Sequence, residues 1–354
     1  MARPLFILLV VAAGLIAASL AALRAPAIED RLFGAALEKA MNAPGARVFG
    51  DDGLKVFFCG TGSPLPSARR AQTCTAVIAG ERFFLVDAGT GSFENVQAAS
   101  IPAGRLAAVL LTHFHSDHIG DLSEVNLGSW VTARPAPLAV YGPAGVERVV
   151  AGENEAFALD ADYRIAHHGK AVAPLRSQGM VARAFDGSAP VVVLDENGLK
   201  ITAFPVKHDP VDPAVGYRFD YQGRSVVISG DTAYSESLVA AAKGADILIH
   251  EAQANHMVAK MQRAAAAAGN ATLAQIFADI PDYHTTPEEA ARAANEAGAV
   301  WLILSHLTPA PDNPVARRLF MRGVKKVRPS NVKIAEDRLF IELPEAGGIE
   351  FGKL

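Results

Sequence analysis

The sequence "THFHSDHIGD", residues 112–121, places three histidines and two aspartates directly after an apolar run that has the length of a buried strand. His113 and His115 are two positions apart, so on an extended backbone both imidazoles point to the same side. Asp117 and His118 follow at a turn into a helix. A single histidine in such a place is usually a core residue, but so many buried polar groups without an ion would cost several kcal/mol in lost solvation. The stretch therefore predicts a metal site.

Several other apolar runs of the chain also end at residues that bind metals. From residue 54 onward these runs alternate with helical patterns, which indicates an α/β fold. The runs end at His113, His208, Asp231, His250 with Glu251, and His306, and a sixth ends at Asp87. In sheets covered by helices, ligands collect at the carboxyl ends of the strands. We therefore expect these side chains to converge at one edge of a sheet.

The order of these motifs resembles that of the metallo-β-lactamase-fold hydrolases over residues 52–343. The motifs are "CGTGSP" at 59–64, "VDAGTG" at 86–91, "THFHSDHIGD", "VKHDP" at 206–210, "SGDT" at 229–232 and "LSHL" at 304–307. The resemblance implies an α/β fold, a four-layer αβ/βα sandwich of two similar halves with the site at one edge between the sheets.

The resemblance also implies two metal ions and assigns seven residues to them. His113, His115 and His208 would hold one ion, Asp117, His118 and His306 the second, and Asp231 would bridge the two. Imidazoles with carboxylates favour zinc, although such ligands also accept manganese or iron. Two ions about 3.5–4 Å apart share a water and lower its pKa to about 7. We therefore expect two Zn²⁺ ions, with Mn²⁺ or Fe as alternatives, and a bridging hydroxide as nucleophile.

Two further motifs are similar to those of the RNase Z and arylsulfatase-like branch. They are "LIHEA" at 248–252 and "YHTT" at 283–286. Thr286, Pro287 and Glu289 form a capping box, so His284 precedes a helix N-terminus, which attracts anions and lowers the pKa of a nearby histidine. His284 would steady a phosphate-like oxygen or protonate a leaving group.

We take Asp117, His284 and Glu251 as the candidate catalytic residues, with Asp117 also a metal ligand. The main functional prediction is a binuclear hydrolase of phosphodiester or sulfate-like ester bonds. Two alternatives stay open, a β-lactam, lactone or thioester hydrolase with the same metal site and an RNase Z-like tRNA endonuclease. The complete ligand set argues against a noncatalytic module.

The N-terminus predicts export. Residues 5–23 carry no charge and are about long enough to span a bilayer. We expect residues 1–27 to be a signal peptide or an uncleaved membrane anchor, residues 28–49 a helical linker, and residues 50–354 the hydrolase domain, in the periplasm or anchored facing it. The irregular segment from about 145 to 195 is a candidate lid or insertion.

Charge and spacing argue for a small ester substrate. The formal net charge is −4 and the chain has no basic tract, so we do not expect nucleic acid as a partner. In the RNase Z branch, the arm that grips tRNA typically lies between the third histidine ligand and the bridging aspartate. His208 and Asp231 are too close in sequence for such an arm, because two predicted strands fill the interval. The sequence gives no oligomeric state.

The two cysteines, Cys59 and Cys74, are too few for a disulfide framework and lack zinc-binding spacing. They lie near two neighbouring predicted strands, so one disulfide between them is open. The ordinary behaviour of free cysteine favours two small buried core residues instead.

Overall fold

The computed structural model describes residues 23–41, 48–50 and 53–354. The chain divides into two units, Met1–Ala46 and Arg47–Leu354. In the first unit the described structure is helix α1, Pro26–Met41, which overlaps the predicted helical linker. The predicted signal peptide or anchor lies outside the described residues except for its last positions. Within the described part of the chain, no helix has the length and apolar character needed to cross a membrane.

The second unit contains fifteen strands and most of the helices that the structure describes. The strands are β1 Leu54–Gly60, β2 Cys74–Ala79, β3 Arg82–Val86, β4 Leu106–Leu110, β5 Leu138–Pro143, β6 Met180–Phe185, β7 Val191–Glu196, β8 Leu199–Pro205, β9 Val215–Tyr221, β10 Arg224–Ile228, β11 Ile247–Gln253, β12 Trp301–Thr308, β13 Val332–Ile334, β14 Leu339–Leu343 and β15 Glu350–Lys353. The helices are α2 Ser92–Ala98, α3 Ser116–Ile119, α4 Leu122–Val131, α5 Val146–Ala156, α6 Ala158–Val172, α7 Glu236–Ala241, α8 Asn255–Ala267, α9 Ala271–Asp279, α10 Pro287–Ala297, α11 Pro314–Phe320 and α12 Val324–Val327. Short 3₁₀ turns occupy Ala103–Arg105, Leu175–Ser177 and Ile280–Asp282.

The strands form two mixed sheets. The first sheet has the order β15-β14-β1-β2-β3-β4-β5-β6, and the second has the order β13-β12-β11-β10-β9-β8-β7. In the second sheet β10, β11 and β12 are parallel. Strand β9 is antiparallel to both β8 and β10, so β8 runs in the same direction as β10. Strand β13 is parallel to β12, so β8, β10, β11, β12 and β13 all end at the same edge of this sheet.

The side chains of β1 alternate between two cores of the molecule. Leu54, Val56 and Phe58 are buried between the two sheets, whereas Phe57 and Cys59 are buried in the core on the opposite face. Successive side chains of a strand point to opposite faces, so a strand buried on both faces is apolar throughout. This strand therefore supplies side chains to two separate cores.

Helices cover the outer face of each sheet. Buried residues of α2, α4 and α5 belong to the core of the first sheet. Buried residues of α7, α10 and α11 belong to the core of the second sheet. The order of layers is helix, sheet, sheet, helix, which confirms the predicted four-layer α/β sandwich.

The segment from 145 to 195 is more regular than its sequence indicates. It contains α5, which packs with Val146 and Val150 in the core, and the edge strands β6 and β7 of the two sheets. Helix α6, by contrast, has no buried residues and is interrupted at Gly169. A lid function for this segment stays a prediction.

Cys59 and Cys74 form a disulfide between the end of β1 and the start of β2. The two strands are antiparallel neighbours, and Gly60 pairs with Cys74. This corrects the interpretation that ordinary cysteine behaviour favours, namely two free core residues. The signal for the pairing was their position near two strands that prove to be adjacent.

Candidate metal centre

Seven side chains meet at the edge where β4, β8, β10 and β12 end. His113 lies just beyond β4, and Asp117 and His118 lie on the short helix α3 that follows. His208 follows β8, Asp231 follows β10 and His306 lies within β12. We call the set the His/Asp cluster: His113, His115, Asp117, His118, His208, Asp231 and His306.

Three histidines form one half of this cluster. The nearest ring nitrogens of His113, His115 and His208 all lie within 4.8 Å of one another. His113 Nε2 is 2.9 Å from His115 Nδ1, and His208 Nε2 is 3.4 Å from the same atom. His113 and His208 are buried, whereas His115 is exposed. This half of the cluster therefore opens to solvent, where a substrate can enter.

Asp117, His118 and His306 form the other half, which is fully buried. His306 Nε2 is 3.2 Å and His118 Nε2 is 3.6 Å from Asp117 Oδ2. Together with the first triad, this gives two groups of three residues side by side.

Asp231 lies between the two triads. Its Oδ2 atom is 3.4 Å from His118 Nε2 and 3.3 Å from His306 Nε2. The same oxygen is 3.9 Å from His208 Nε2 and 4.0 Å from His113 Nε2. One carboxylate therefore reaches both groups. Gly230 allows this turn, since it has a φ of +62° and a Cβ there would lie 2.7 Å from the carbonyl oxygen of Val215.

Local backbone geometry points the side chain of His306 into the cluster. Ser305 pairs with Glu251 and Leu307 pairs with Ala252, so His306 has no partner in the ladder between β11 and β12. His306 has a φ of 44°, in the left-handed region that is unfavourable for residues with a side chain. Bulges of this kind commonly re-aim a side chain beside an active site.

The donor set fits divalent metal ions. His118 Nε2, Asp231 Oδ1 and His306 Nδ1 are buried without a hydrogen-bond partner among the described residues, and such atoms in a native core call for an explanation. Burial, followed by the charge of His118, holds the pKa of His113 well below its ordinary value. Burial would raise the pKa of Asp231, but the imidazoles of His306 and His118 hold it well below its usual range. A neutral imidazole and an ionised carboxylate are the forms that bind a cation. Burial would lower the pKa values of His118 and His306, but nearby carboxylates, Asp231 first, raise both, that of His306 to about 9, so a cation would displace protons from these two rings.

Partners outside the cluster orient two of its imidazoles. Asp87 accepts a hydrogen bond from the backbone N–H of Thr112 at 2.8 Å, and its Oδ2 is 2.9 Å from His118 Nδ1. The carbonyl oxygen of Tyr283 lies 3.1 Å from His208 Nδ1. When Nδ1 donates to these acceptors, Nε2 is left as the acceptor toward the cluster. The sequence predicts Asp87 at a strand end, but it gives no sign that this carboxylate would bond to His118.

Glu251 and His284 form a second polar group beside the cluster. Glu251 Oε1 accepts hydrogen bonds from the backbone N–H groups of Thr285 at 3.0 Å and Thr232 at 3.2 Å, and it is 3.0 Å from His284 Nδ1. The His284 ring stacks near that of His306, with centroids 5.8 Å apart. The structure therefore places both predicted helper residues at the site.

The pKa of His284 moves in the opposite direction to the one that helix proximity predicts. The capping box of Thr286 and Glu289 is present at the start of α10. Burial would lower the pKa of His284, but the carboxylate of Glu251 outweighs burial and raises it. A direct ion pair is stronger here than the partial charge of a helix end. His284 is therefore held toward its protonated form.

His250 lies apart from this group although it precedes Glu251 in the sequence. Its side chain is fully buried, and Nδ1 lies 2.8 Å from the carbonyl oxygen of Glu251. No metal-binding group among the described residues includes it. Of the paired His-Glu motif, only the glutamate faces the site, because successive residues of β11 point to opposite faces.

Comparisons with known proteins agree with this geometry. Residues 82–307 match the family described as "Beta-lactamase superfamily domain". Ribonuclease Z of Mycobacterium bovis is 40% identical over 260 residues, which are 73% of this chain and 87% of that protein. Ribonuclease Z of Mycolicibacterium paratuberculosis is similar to the same extent.

Two solved structures share the fold. The short form of human tRNase Z aligns with a TM-score of 0.59 at 21% identity, covering 82% of this chain and 99% of that one. The metallo-β-lactamase-fold protein YhfI of Bacillus subtilis aligns with a TM-score of 0.58 at 22% identity, covering 85% and 100%.

The relatives correct two sequence-based predictions. We expected no nucleic acid among the partners, yet the curated relatives are named for cleaving RNA. We also expected export, with a signal peptide or membrane anchor and a periplasmic domain. This prediction is wrong as well, because the curated relatives are named for cleaving RNA. Length and apolar composition carried the export prediction, whereas net charge and the short interval between His208 and Asp231 carried the other.

Proposed function

This chain belongs to the metallo-β-lactamase-fold hydrolases of the ribonuclease Z branch, and from that premise we propose that it is a metal-dependent endoribonuclease that processes precursor tRNA. The observation that carries the proposal is the 40% identity to ribonuclease Z across 87% of that enzyme's length. The converging His/Asp cluster supports it, because it provides the groups that phosphodiester hydrolysis needs.

The proposed metal ligands follow the two triads. His113, His115 and His208 would hold one ion, Asp117, His118 and His306 the other, and Asp231 would contact both. Five imidazoles with two carboxylates make zinc the proposed ion in each position. Bound divalent ions would supply Lewis-acid chemistry, lowering the pKa of water and neutralising charge on a phosphate oxygen.

His284 would act on the scissile phosphate from beside the cluster. Glu251 holds its Nδ1 and raises its pKa, so Nε2 is available to donate a hydrogen bond or a proton. A group in this position can protonate the leaving oxygen or stabilise charge on the phosphate. Glu251 would act through His284 by fixing its orientation.

The chain would bind RNA without an arm between His208 and Asp231. Strands β9 and β10 of the second sheet fill most of that interval. The RNA would therefore be held by surfaces around the open, His115-side half of the cluster. This difference in binding does not change the chemistry at the phosphate.

Precursor tRNA cleavage tests the proposal. Purified protein is incubated with a precursor tRNA that carries a 3′ extension, and the product ends are mapped at 150 mM salt. We expect cleavage at one position near the end of the mature tRNA, and none with His113→Ala. Hydrolysis of bis(p-nitrophenyl) phosphate serves as a control for an intact metal site. Turnover of this diester without site-specific tRNA cleavage would overturn the proposal.

A further inference from the structure

A cleft opens beside His284, and its lining includes Lys207 and Asp209 on either side of His208. Its volume is about 550 Å³, within the range of pockets that take small organic ligands. Tyr283 and Tyr234 line it together with Lys207 and Asn255. Neither tyrosine is part of the His/Asp cluster, and the proposed mechanism uses neither.

Tyr283 links this cleft to the cluster. Its ring lies edge-on to His208, with centroids 5.3 Å apart, and 4.9 Å from the ring of His284. Its carbonyl oxygen also lies within hydrogen-bond distance of His208. Contacts on both neighbours fix the ring in place, and the side chain is only partly buried. A fixed, partly exposed aromatic ring beside the reacting phosphate is a platform on which a base can stack.

The other tyrosine is also fixed. The hydroxyl of Tyr234 donates a hydrogen bond to the carboxylate of Glu296 on α10. This contact holds the phenol ring at the wall of the cleft. Aromatic side chains lose little conformational freedom on binding, so two held rings favour a flat, apolar ligand.

Charge in the cleft argues against a phosphate as its occupant. The lining carries the carboxylates of Asp209, Asp282 and Glu289, and its cationic groups are Lys207 and, next to the His/Asp cluster, His284. The Glu289 carboxylate is already engaged with Thr286. Away from His284, an anion would be repelled by Asp209 and Asp282, whereas a neutral base would not, and the exocyclic amino groups of the base would find carboxylate acceptors.

We propose that this cleft is a nucleobase subsite in which the nucleotide on the leaving-oxygen side of the scissile bond stacks on Tyr283. The proposal rests on the proposed function, since it takes RNA as the substrate. It places that base next to His284, the residue that faces the leaving oxygen. Stacking tolerates any base, so the subsite sets position more than sequence.

The test uses three forms of the full chain, each loaded with metal: wild type, Tyr283→Phe and Tyr283→Leu. Phenylalanine keeps the ring, while leucine keeps apolar bulk against His208 but removes the ring. Each form is assayed with a short RNA in which one nucleotide is abasic, on the leaving-oxygen side or on the other side. Product-end mapping on intact RNA identifies the two sides, and elemental analysis checks that each variant keeps its metals.

In wild type, removing the base on the leaving-oxygen side should lower kcat/KM roughly 5- to 150-fold, the range for loss of a stacking contact. Tyr283→Phe should behave in the same way. In Tyr283→Leu, intact and abasic RNA should be cleaved at similar, low rates. The abasic residue on the other side should have a smaller effect in all three.

A binding measurement gives a second readout that does not depend on turnover. With 2-aminopurine on the leaving-oxygen side, fluorescence should be quenched on binding to wild type and Tyr283→Phe but not to Tyr283→Leu. Equal cleavage of intact and abasic RNA by wild type, or quenching that persists in Tyr283→Leu, overturns the subsite and leaves the endoribonuclease proposal standing. Failure of wild type to cleave any RNA overturns both.

Discussion

Two polar clusters in this molecule are built in opposite ways. Asp337 accepts four hydrogen bonds: Oδ1 from Thr61 N–H at 3.0 Å and Thr61 Oγ1 at 2.6 Å, and Oδ2 from Ala71 N–H at 2.7 Å and Asn95 Nδ2 at 3.0 Å. In the His/Asp cluster, by contrast, Asp231 Oδ1 is buried and has no partner within the described part of the chain. Both oxygens of Asp337 therefore have hydrogen-bond donors from the protein, whereas one oxygen of Asp231 has none among the described residues.

The difference separates a structural role from a binding role. The Asp337 contacts join a loop, a helix and the strand region near the C-terminus, and the protein itself completes them. The His/Asp cluster gathers acceptors and leaves several without donors, which is unfavourable unless something else binds there. The same substitution at the two aspartates should therefore have different consequences.

The largest expected effect comes from Asp231→Ala. Because this carboxylate reaches both triads, its loss should reduce metal content and bring turnover of precursor tRNA to background. His113→Ala should act in the same way. Elemental analysis and a cleavage assay on the same preparation measure both effects. Full metal content with normal turnover in Asp231→Ala would show that the two triads do not depend on it.

The next effect separates the helper histidine from the metal ligands. His284→Ala should keep its metal content and lose roughly 10²- to 10⁴-fold in kcat, as expected for a general acid or an anion-stabilising group. Glu251→Gln is the matched control, since it should lose less and should add little on top of His284→Ala. Normal turnover by His284→Ala would remove the role we assign to it.

The smallest effect on chemistry is expected at Asp337. Asp337→Ala leaves four donors without their acceptor, so the free energy of unfolding should fall by about 1–3 kcal/mol. Metal content should stay at the wild-type level, because none of the His/Asp cluster residues bonds to Asp337. Urea denaturation followed by circular dichroism measures the change. A loss of metal in this variant would show that Asp337 also supports the metal site and does not have a purely structural role.

Strand ends were the part of the site that sequence could predict. Apolar runs that stop at His113, His208 and His306 show both the strands and the polar residues beyond them. The structure brings these residues together because β4, β8, β10 and β12 end at one edge. The layer architecture followed from the same alternation of strands and helices.

Features that depend on tertiary contact were not predictable. The bulge at His306 arises from the pairing of β11 with β12, and the partnership of Asp87 with His118 joins residues on different elements. The raised pKa of His284 needed the position of Glu251. The disulfide needed the adjacency of β1 and β2. The predictions of no nucleic-acid partner and of export were wrong because net charge, the His208–Asp231 spacing and one apolar segment are properties of the chain, not of the site.

Counting the metal ions bound to the wild-type protein shows whether the two triads form a binuclear site. The chain is expressed with ample zinc, purified without chelator, and its transition metals are counted per polypeptide by elemental analysis. The two triads with Asp231 between them predict about two ions per chain, chiefly zinc, and a lower melting temperature once a chelator removes them. One ion or none in metal-replete protein would show that the His/Asp cluster is not a two-metal site.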